Sequence, residues 1–171
     1  AQRHYRVTIR QVALASLSRT IAGKVGVKNC QECITFALIA RDLSRLVYHS
    51  SSIASHVLSL EGQRSIDQEV SSLIANMSQV AYRMQKNAVE AFLKKDVKLA
   101  INVMAMMDEI REKEKTLLKR VMEKTRDIDK AVTLSMIARD LRRIAGYAVA
   151  IADDAMNRVL TPTSHEKPKC A

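Results

Sequence analysis

The chain has 171 residues, of which 47% are hydrophobic and 27% are charged, and its net charge is +10. This balance is typical of one folded domain with its own core and excludes a disordered tail. The sequence contains no apolar run near the roughly 18 residues of a membrane span and no opening signal peptide, so we expect a cytoplasmic protein without membrane insertion.

Five long helices are predicted in chain order, near 3–24, 30–60, 66–94, 97–125 and 128–160. Both prolines lie in the last ten residues, so little interrupts a helical backbone before them. Glycines and capping residues mark the ends of the helices. The expected N-cap residues are Asn29, Ser65, Asp96 and Asp127. Residues 161–171 are predicted to form a flexible tail.

Two of these helices carry the same apolar stripe. In the last helix the stripe consists of Leu134, Ile137, Leu141, Ile144, Ala148, Ile151 and Ala155. Shifting by 98 residues gives Phe36, Ile39, Leu43, Leu46, Ser50, Ile53 and Val57. Long helices with such stripes bury them by packing almost antiparallel. The sequence therefore predicts an all-α fold, an antiparallel helical bundle.

The similarity between these two helices extends to their charged residues. The stretch "ARDLSRL" begins at Ala40 and "ARDLRRI" begins at Ala138, and seven of fourteen positions are identical between 33–46 and 131–144. Amphipathic periodicity explains the matching apolar positions, but it does not explain why arginine and aspartate recur in register. The two segments are therefore an internal repeat.

On these residues the chain resembles the PhoU family, whose signature helix carries Ala-Arg, then Leu-Glu-Arg-Ile-Gly-Asp-His, then Asn-Ile-Ala-Glu. The corresponding stretches are "ARDLSRLVYHSSSIAS" and "ARDLRRIAGYAVAIAD". The resemblance implies tandem three-helix bundles, with an incomplete first repeat over 1–61 and a second repeat over 62–160. One helix of the first bundle is missing. Either it precedes Ala1, as expected for an archaeal-type member with an N-terminal DNA-binding domain, or the chain is a rearranged five-helix domain.

The resemblance also implies a function. It predicts a non-enzymatic regulator of phosphate uptake or phosphate-responsive transcription that contacts a phosphate transporter ATPase or a sensor kinase. The sequence contains no recognisable catalytic motif. The alternative is a basic helical module that binds nucleic acid directly, because the positive charge places cations on several helix faces. The candidate residues for partner or anion binding are Arg41, Asp42, Arg45, His49, Arg139, Asp140, Arg142 and Arg143.

Many members of this family bind metal clusters through paired carboxylates. The family's ligand positions are occupied here by Ser44, Tyr48, Arg142 and Gly146. A carboxylate pair remains only at Asp108 and Glu112, and we expect Arg142 to face it as an ion-pair partner. The expected cofactor is therefore none, or a single divalent ion at Asp108 and Glu112, and no multinuclear cluster.

Histidine and cysteine residues are predicted to have structural roles. His49 occupies the family's histidine position and is expected to be a hydrogen-bonded side chain rather than a ligand. Cys30 and Cys33 form a CxxC motif at a helix start, but no second pair completes a zinc site, so we expect two reduced thiols.

Self-association is also expected. The apolar stripe meant for a missing helix, which includes Leu14, Leu17 and Ile21, would otherwise face water. We therefore predict a homo-oligomer.

Overall fold

The computed structural model describes residues 2–61 and 66–160, and these residues form six helices without a strand. The helices are α1 (Gln2–Leu17), α2 (Arg19–Val25), α3 (Cys30–Ser59), α4 (Gln68–Lys94), α5 (Val97–Lys124) and α6 (Ile128–Leu160). The predicted all-α helical bundle is confirmed. The tail predicted for 161–171 lies outside the described residues. None of the helices described is long and apolar enough to cross a membrane.

The first predicted helix is wrong as a single element, because the chain breaks at Ser18 into α1 and α2. Ser18 has an extended backbone (φ −141°, ψ 117°), and its hydroxyl accepts a hydrogen bond from the Ile21 N–H. A serine side chain that satisfies a free backbone N–H competes with helix continuation and starts a new helix. Gly26 then ends α2 with a φ of 74°, which favours glycine.

The later helices begin close to the predicted positions. Asn29, Asp96 and Asp127 each accept a hydrogen bond from the backbone N–H three residues on, at 2.8, 3.0 and 3.1 Å. Asp67 caps α4, accepting from the backbone of Glu69 and Val70. The predicted cap Ser65 lies outside the described residues.

The core surrounds α6. Helices α4, α5 and α6 each pack against the other two, while α3 packs against α6 and α1 packs against α3. Large side chains in this core are fully buried, among them Met77, Met84, Ile110, Leu117 and Leu134. Burying each such side chain contributes about 1.5–3 kcal/mol. Helix α6 therefore connects α3, on which α1 packs, to α4 and α5.

The repeated stripes are buried to different extents. Every stripe residue of α6 is buried, and Leu141 and Ala155 are 5% and 2% exposed. Their equivalents on α3, Leu43 and Val57, are 39% and 54% exposed. This difference follows from the packing, because α6 packs along α3, α4 and α5. Helix α3 packs along α1 and α6 and touches α4 through the rings of Phe36 and Phe92.

We expect self-association through the exposed end of α1. Leu14 and Leu17 are 52% and 85% exposed, whereas Ile21 is half-buried beside Ala15. Covering these leucines removes apolar surface from water. Sedimentation should show association that weakens in a Leu14→Gln/Leu17→Gln variant, while Leu93→Gln on α4 serves as the exposed-leucine control. A monomer at all accessible concentrations contradicts this prediction.

Candidate functional site

The repeated segments each bury one aspartate. Asp42 on α3 and Asp140 on α6 are both 1% exposed. The Arg41 Nε donates a hydrogen bond to Asp42 at 2.8 Å, and the Arg139 guanidinium lies 3.7 Å from Asp140. Both arginine side chains are more than half exposed. The two segments therefore share one arrangement, a buried carboxylate beside a guanidinium that faces solvent.

Two histidines of α3 face Asp140 across the helix interface. The Nδ1 of His49 lies 3.0 Å from Asp140 Oδ1, and the Nε2 of His56 lies 3.7 Å from Asp140 Oδ2. The His49 ring also stacks on Tyr147, with centroids 5.8 Å apart. His49 is thus hydrogen-bonded, and its carboxylate partner comes from the other repeat.

The repeat symmetry places a different chemistry around Asp42. An offset of 98 residues relates His49 to Tyr147 and His56 to Asp154. Tyr147 lines the same cleft as Asp42. The pKa of Asp154 is raised to about 6, first because of burial and then because of the nearby Asp42 and Asp153 charges, which outweigh Arg41. At one end of the α3–α6 interface Asp140 therefore lies beside two imidazoles. At the other end Asp42 lies near a second carboxylate, that of Asp154.

Each buried aspartate keeps one oxygen without a hydrogen-bond donor among the described residues. These atoms are Oδ2 of Asp42 and Oδ2 of Asp140. A buried acceptor without a donor costs about 1–3 kcal/mol, and more when it is charged. The α3–α6 interface therefore holds two buried carboxylate oxygens that lack a donor among the described residues.

A cleft of about 300 Å³ opens beside Asp42. Its lining residues include Arg41, Arg142, Arg143, Gly146 and Tyr147. The arginines give this cleft a positive charge, which suits an anion or an acidic side chain. The remaining arginine of the α3 repeat, Arg45, is exposed, as is its equivalent Arg143.

The expected partner of Arg142 is wrong. Its Nε lies 3.0 Å from Glu114 Oε2. Asp108 is 83% exposed and pairs with Arg111 on its own helix, and Glu112 is also exposed. The reason is helical geometry, because residues two apart point to nearly opposite sides of a helix, so α5 turns Glu114 toward α6 and Glu112 toward water.

The side chains at the family's metal positions do not fit a cluster. Such a site needs several converging carboxylates, but these positions hold Ser44, Tyr48, Arg142 and Gly146. Within 2–61 and 66–160, no group of three or more histidine, cysteine, aspartate or glutamate residues is placed to hold an ion.

We expect protein purified without a chelator or a metal-affinity tag to contain well under one equivalent of iron, zinc or manganese per chain, because Arg142 occupies a position where a cluster needs an anion. Elemental analysis checks this. A near-stoichiometric metal content that is lost in an Asp108→Ala/Glu112→Ala variant contradicts the prediction and restores those carboxylates as ligands.

The two cysteines of the CxxC motif differ in burial. Cys30 is exposed, whereas Cys33 is buried. Cys33 packs with Ala15 and Val27 in a small apolar cluster between α1, α3 and the connection before α3. The thiol of Cys33 thus has a packing role.

Two polar side chains that sequence reasoning missed tie α6 to its neighbours. Arg158 lies over the Phe92 ring, 4.8 Å from its centroid, and its guanidinium is 3.4 Å from Glu32 Oε1 on α3. Gln85 of α4 donates a buried hydrogen bond of 2.7 Å to the Ile144 carbonyl. Gln85 lies among the buried residues Ala81, Met84 and Ala88 of α4, and a glutamine among such apolar neighbours was the sequence signal for the second contact. The contacts of Arg158 had no such sequence signal.

The fold and the site define a tandem-repeat helical-bundle protein, in which two equivalent helices meet antiparallel and each buries an aspartate. Residues 74–155 match the family model of the PhoU domain. The chain is 28% identical over 133 residues to phosphate-specific transport system accessory protein PhoU homolog 1 of Thermotoga maritima. That match covers 75% of this chain and 57% of the relative, so the chain spans little more than half of the relative's length.

A solved structure shares the fold. The crystal structure of PhoU from Pseudomonas aeruginosa superposes with a TM-score of 0.70 at 21% sequence identity, covering 92% of this chain and 80% of that one. The resemblance to the PhoU family that the repeated Ala-Arg-Asp-Leu segments predicted is confirmed by the PhoU domain model over residues 74–155.

Proposed function

We propose that this protein is a non-enzymatic, cytoplasmic regulator of phosphate uptake that acts by contacting a phosphate transporter ATPase or a sensor kinase. The PhoU domain over 74–155 carries the proposal. The Thermotoga maritima relative is itself named as an accessory protein of a phosphate-specific transport system.

The arginines of the α3–α6 interface are the proposed contact residues. Asp42 holds the Arg41 guanidinium at 2.8 Å while more than half of that side chain stays exposed. An arginine held in place loses less conformational freedom when it binds an acidic group on a partner. The same reasoning applies to Arg139 beside Asp140.

A pull-down with the full chain tests this function. We expect the transporter ATPase or the sensor kinase to be captured in a defined stoichiometry, in amounts that differ between phosphate-replete and phosphate-starved cells. An Arg41→Ala/Arg139→Ala variant should lose the partner. The matched control is Lys119→Ala on α5, which is 75% exposed and remote from the interface. Capture of neither partner under either condition contradicts the proposal.

Direct nucleic-acid binding is the second candidate. The observation that favours it is that Arg3, Arg6 and Arg45 have no acidic partner among the described residues. Binding through many phosphate contacts weakens steeply as salt rises. Fluorescence anisotropy of a labelled duplex measures this affinity between about 50 and 200 mM salt, and a steep loss supports direct nucleic-acid binding. A protein partner is expected to bind with a fixed stoichiometry instead.

A further inference from the structure

The cleft beside Asp42 combines several cations with one buried acceptor. Its lining residues lie on α3, α5 and α6, so side chains of both repeats build it. The charged residues of the lining are Arg41, Asp42, Arg142 and Arg143. With three guanidinium groups and one carboxylate, positive charge predominates in the cleft, and this attracts an anion.

The three arginines keep hydrogen-bonding groups for such an anion. Arg41 uses its Nε on Asp42 at 2.8 Å, while 53% of its side chain is exposed. The Nε of Arg142 lies 3.0 Å from Glu114 Oε2 of α5, and this side chain is 43% exposed. Arg143 is exposed and has no carboxylate within ion-pair distance among the described residues. Two guanidinium groups are thus held in place by carboxylates, and the third has no such partner to leave.

Asp42 adds a second requirement, because it is an acceptor that lacks a hydrogen. Its carboxylate is 1% exposed, Oδ1 accepts from Arg41, and Oδ2 has no donor among the described residues. A ligand that satisfies the whole cleft therefore carries anionic oxygens and a hydroxyl hydrogen on the same group. The carboxylate of a partner protein offers only the oxygens, and a lysine or serine offers only the hydrogen.

We propose that this cleft binds inorganic phosphate, with phosphate oxygens on the three arginines and a phosphate hydroxyl that donates to Asp42. Inorganic phosphate keeps at least one proton at neutral pH, whereas sulfate has none to donate. A phosphate monoester is almost fully ionised at pH 8, because its second pKa is about 6. The inference rests on the proposed function, since it names the signal that a regulator of phosphate uptake reads.

The other repeat lacks this combination at the equivalent positions. An offset of 98 residues places Ser44 where the cleft has Arg142, and Tyr48 where it has Gly146. Asp140, the equivalent of the cleft aspartate, already lies 3.0 Å from an imidazole nitrogen of α3. That end of the interface thus has fewer arginines, a bulkier side chain and an acceptor with its own partner. We therefore expect one phosphate site per chain.

The cleft is accessible from solvent. Arg139, the equivalent of Arg41 in the second repeat, is 56% exposed although α4 and α5 both pack on its helix. A further helix packed on the first repeat in the same way leaves Arg41 exposed too. The space beside Gly146 is empty, since a side-chain carbon added there meets no neighbouring atom within 4 Å. A Gly146→Asp variant thus brings a carboxylate into the cleft without displacing the core.

Calorimetric titration of the full chain with inorganic phosphate at pH 8 tests the site. We expect saturable binding, and binding of sulfate and methyl phosphate that is weaker by about tenfold or more, because neither donates a hydrogen to Asp42. Gly146→Asp and Arg143→Ala should each weaken phosphate by about tenfold or more. Arg83→Ala is the matched control, since it removes an exposed arginine of α4 outside the cleft and should leave the affinity within about twofold.

An Asp42→Asn variant tests the phosphate hydroxyl separately. The amide donates a hydrogen to an oxygen that carries none, so the preference for phosphate over sulfate should fall by about tenfold. Circular dichroism verifies that each variant is folded. An equal loss of both anions contradicts the hydroxyl contact. The inference is overturned if phosphate shows no saturable binding, if sulfate binds as tightly, or if Gly146→Asp keeps the native affinity.

Failure of this inference can be distinguished from failure of the proposed function. If no phosphate binds but the pull-down still captures a partner, the assignment of the cleft is wrong and the function stands. If phosphate binds as expected but the pull-down captures neither transporter ATPase nor kinase, the proposed function is wrong and the cleft remains a phosphate site.

Discussion

Replacing Asp140 with alanine is expected to lower the free energy of unfolding by about 2–3 kcal/mol. The carboxylate is 1% exposed and lies 3.0 Å from the His49 Nδ1, so the variant loses a buried, charge-assisted contact and leaves the imidazole without its acceptor. Denaturant unfolding, with the slope compared between the native chain and the variant, measures the change.

A double-mutant cycle with His49→Ala assigns this effect to the contact itself. Residues in direct contact usually couple by about 0.5–3 kcal/mol, so we expect at least about 1 kcal/mol for this pair. Asp42→Ala, combined with the same histidine variant, is the control, because Asp42 belongs to the other cluster. A loss below about 0.5 kcal/mol in Asp140→Ala contradicts the prediction.

Replacing Asp154 with asparagine is expected to stabilise the protein at pH 8 by about 1–2 kcal/mol, a value reduced for solvent screening. Its carboxyl has a pKa of about 6 in the folded chain against an ordinary 3.8, because of burial and the Asp42 charge. A raised pKa means that the protonated Asp154 carboxyl stabilises the folded state relative to the ionised one. The contribution of this carboxyl to stability is therefore complete below about pH 4 and is lost as the pH rises through 6.

The asparagine variant mimics the protonated carboxyl at every pH. Its difference in unfolding free energy from the native chain should be near zero at pH 4 and largest at pH 8. Glu112→Gln on α5 is the control, since that residue is exposed and does not contribute to the pKa of Asp154. A difference that is independent of pH, or one that is equally large for Glu112→Gln, contradicts the assigned pKa.

The amino-acid sequence carries enough information to predict the bundle and its repeat. The stripe from Leu134 to Ala155 follows helical spacing throughout, and all of its members are buried. The shared arginine and aspartate positions identify α3 and α6 as equivalents from the sequence alone. The break at Ser18 was not predicted, because the apolar periodicity continues on both sides of this residue and one serine hydroxyl does not alter that pattern.

The contacts of the site are harder to predict than its residues. His49 and Asp140 are both sequence candidates, but they are 91 residues apart in sequence, and only the antiparallel packing of α3 on α6 brings them together. The sequence-based pairing of Arg142 with Glu112 and Asp108 instead of Glu114 was wrong, because the face that α5 turns to α6 depends on the rotation of the helix about its axis.

Each repeat places side chains beside the buried aspartate of the other, and this affects how the folded chain opens. Asp140 of α6 depends on His49 and His56 of α3, while Asp42 of α3 lies close to Asp154 of α6. Separating the two helices exposes both aspartates to solvent in one event. The amide hydrogens at the centres of α3 and α6 are therefore protected by a shared opening reaction, whereas α1, which packs on α3 and α2 alone among the described helices, can detach locally at a smaller cost.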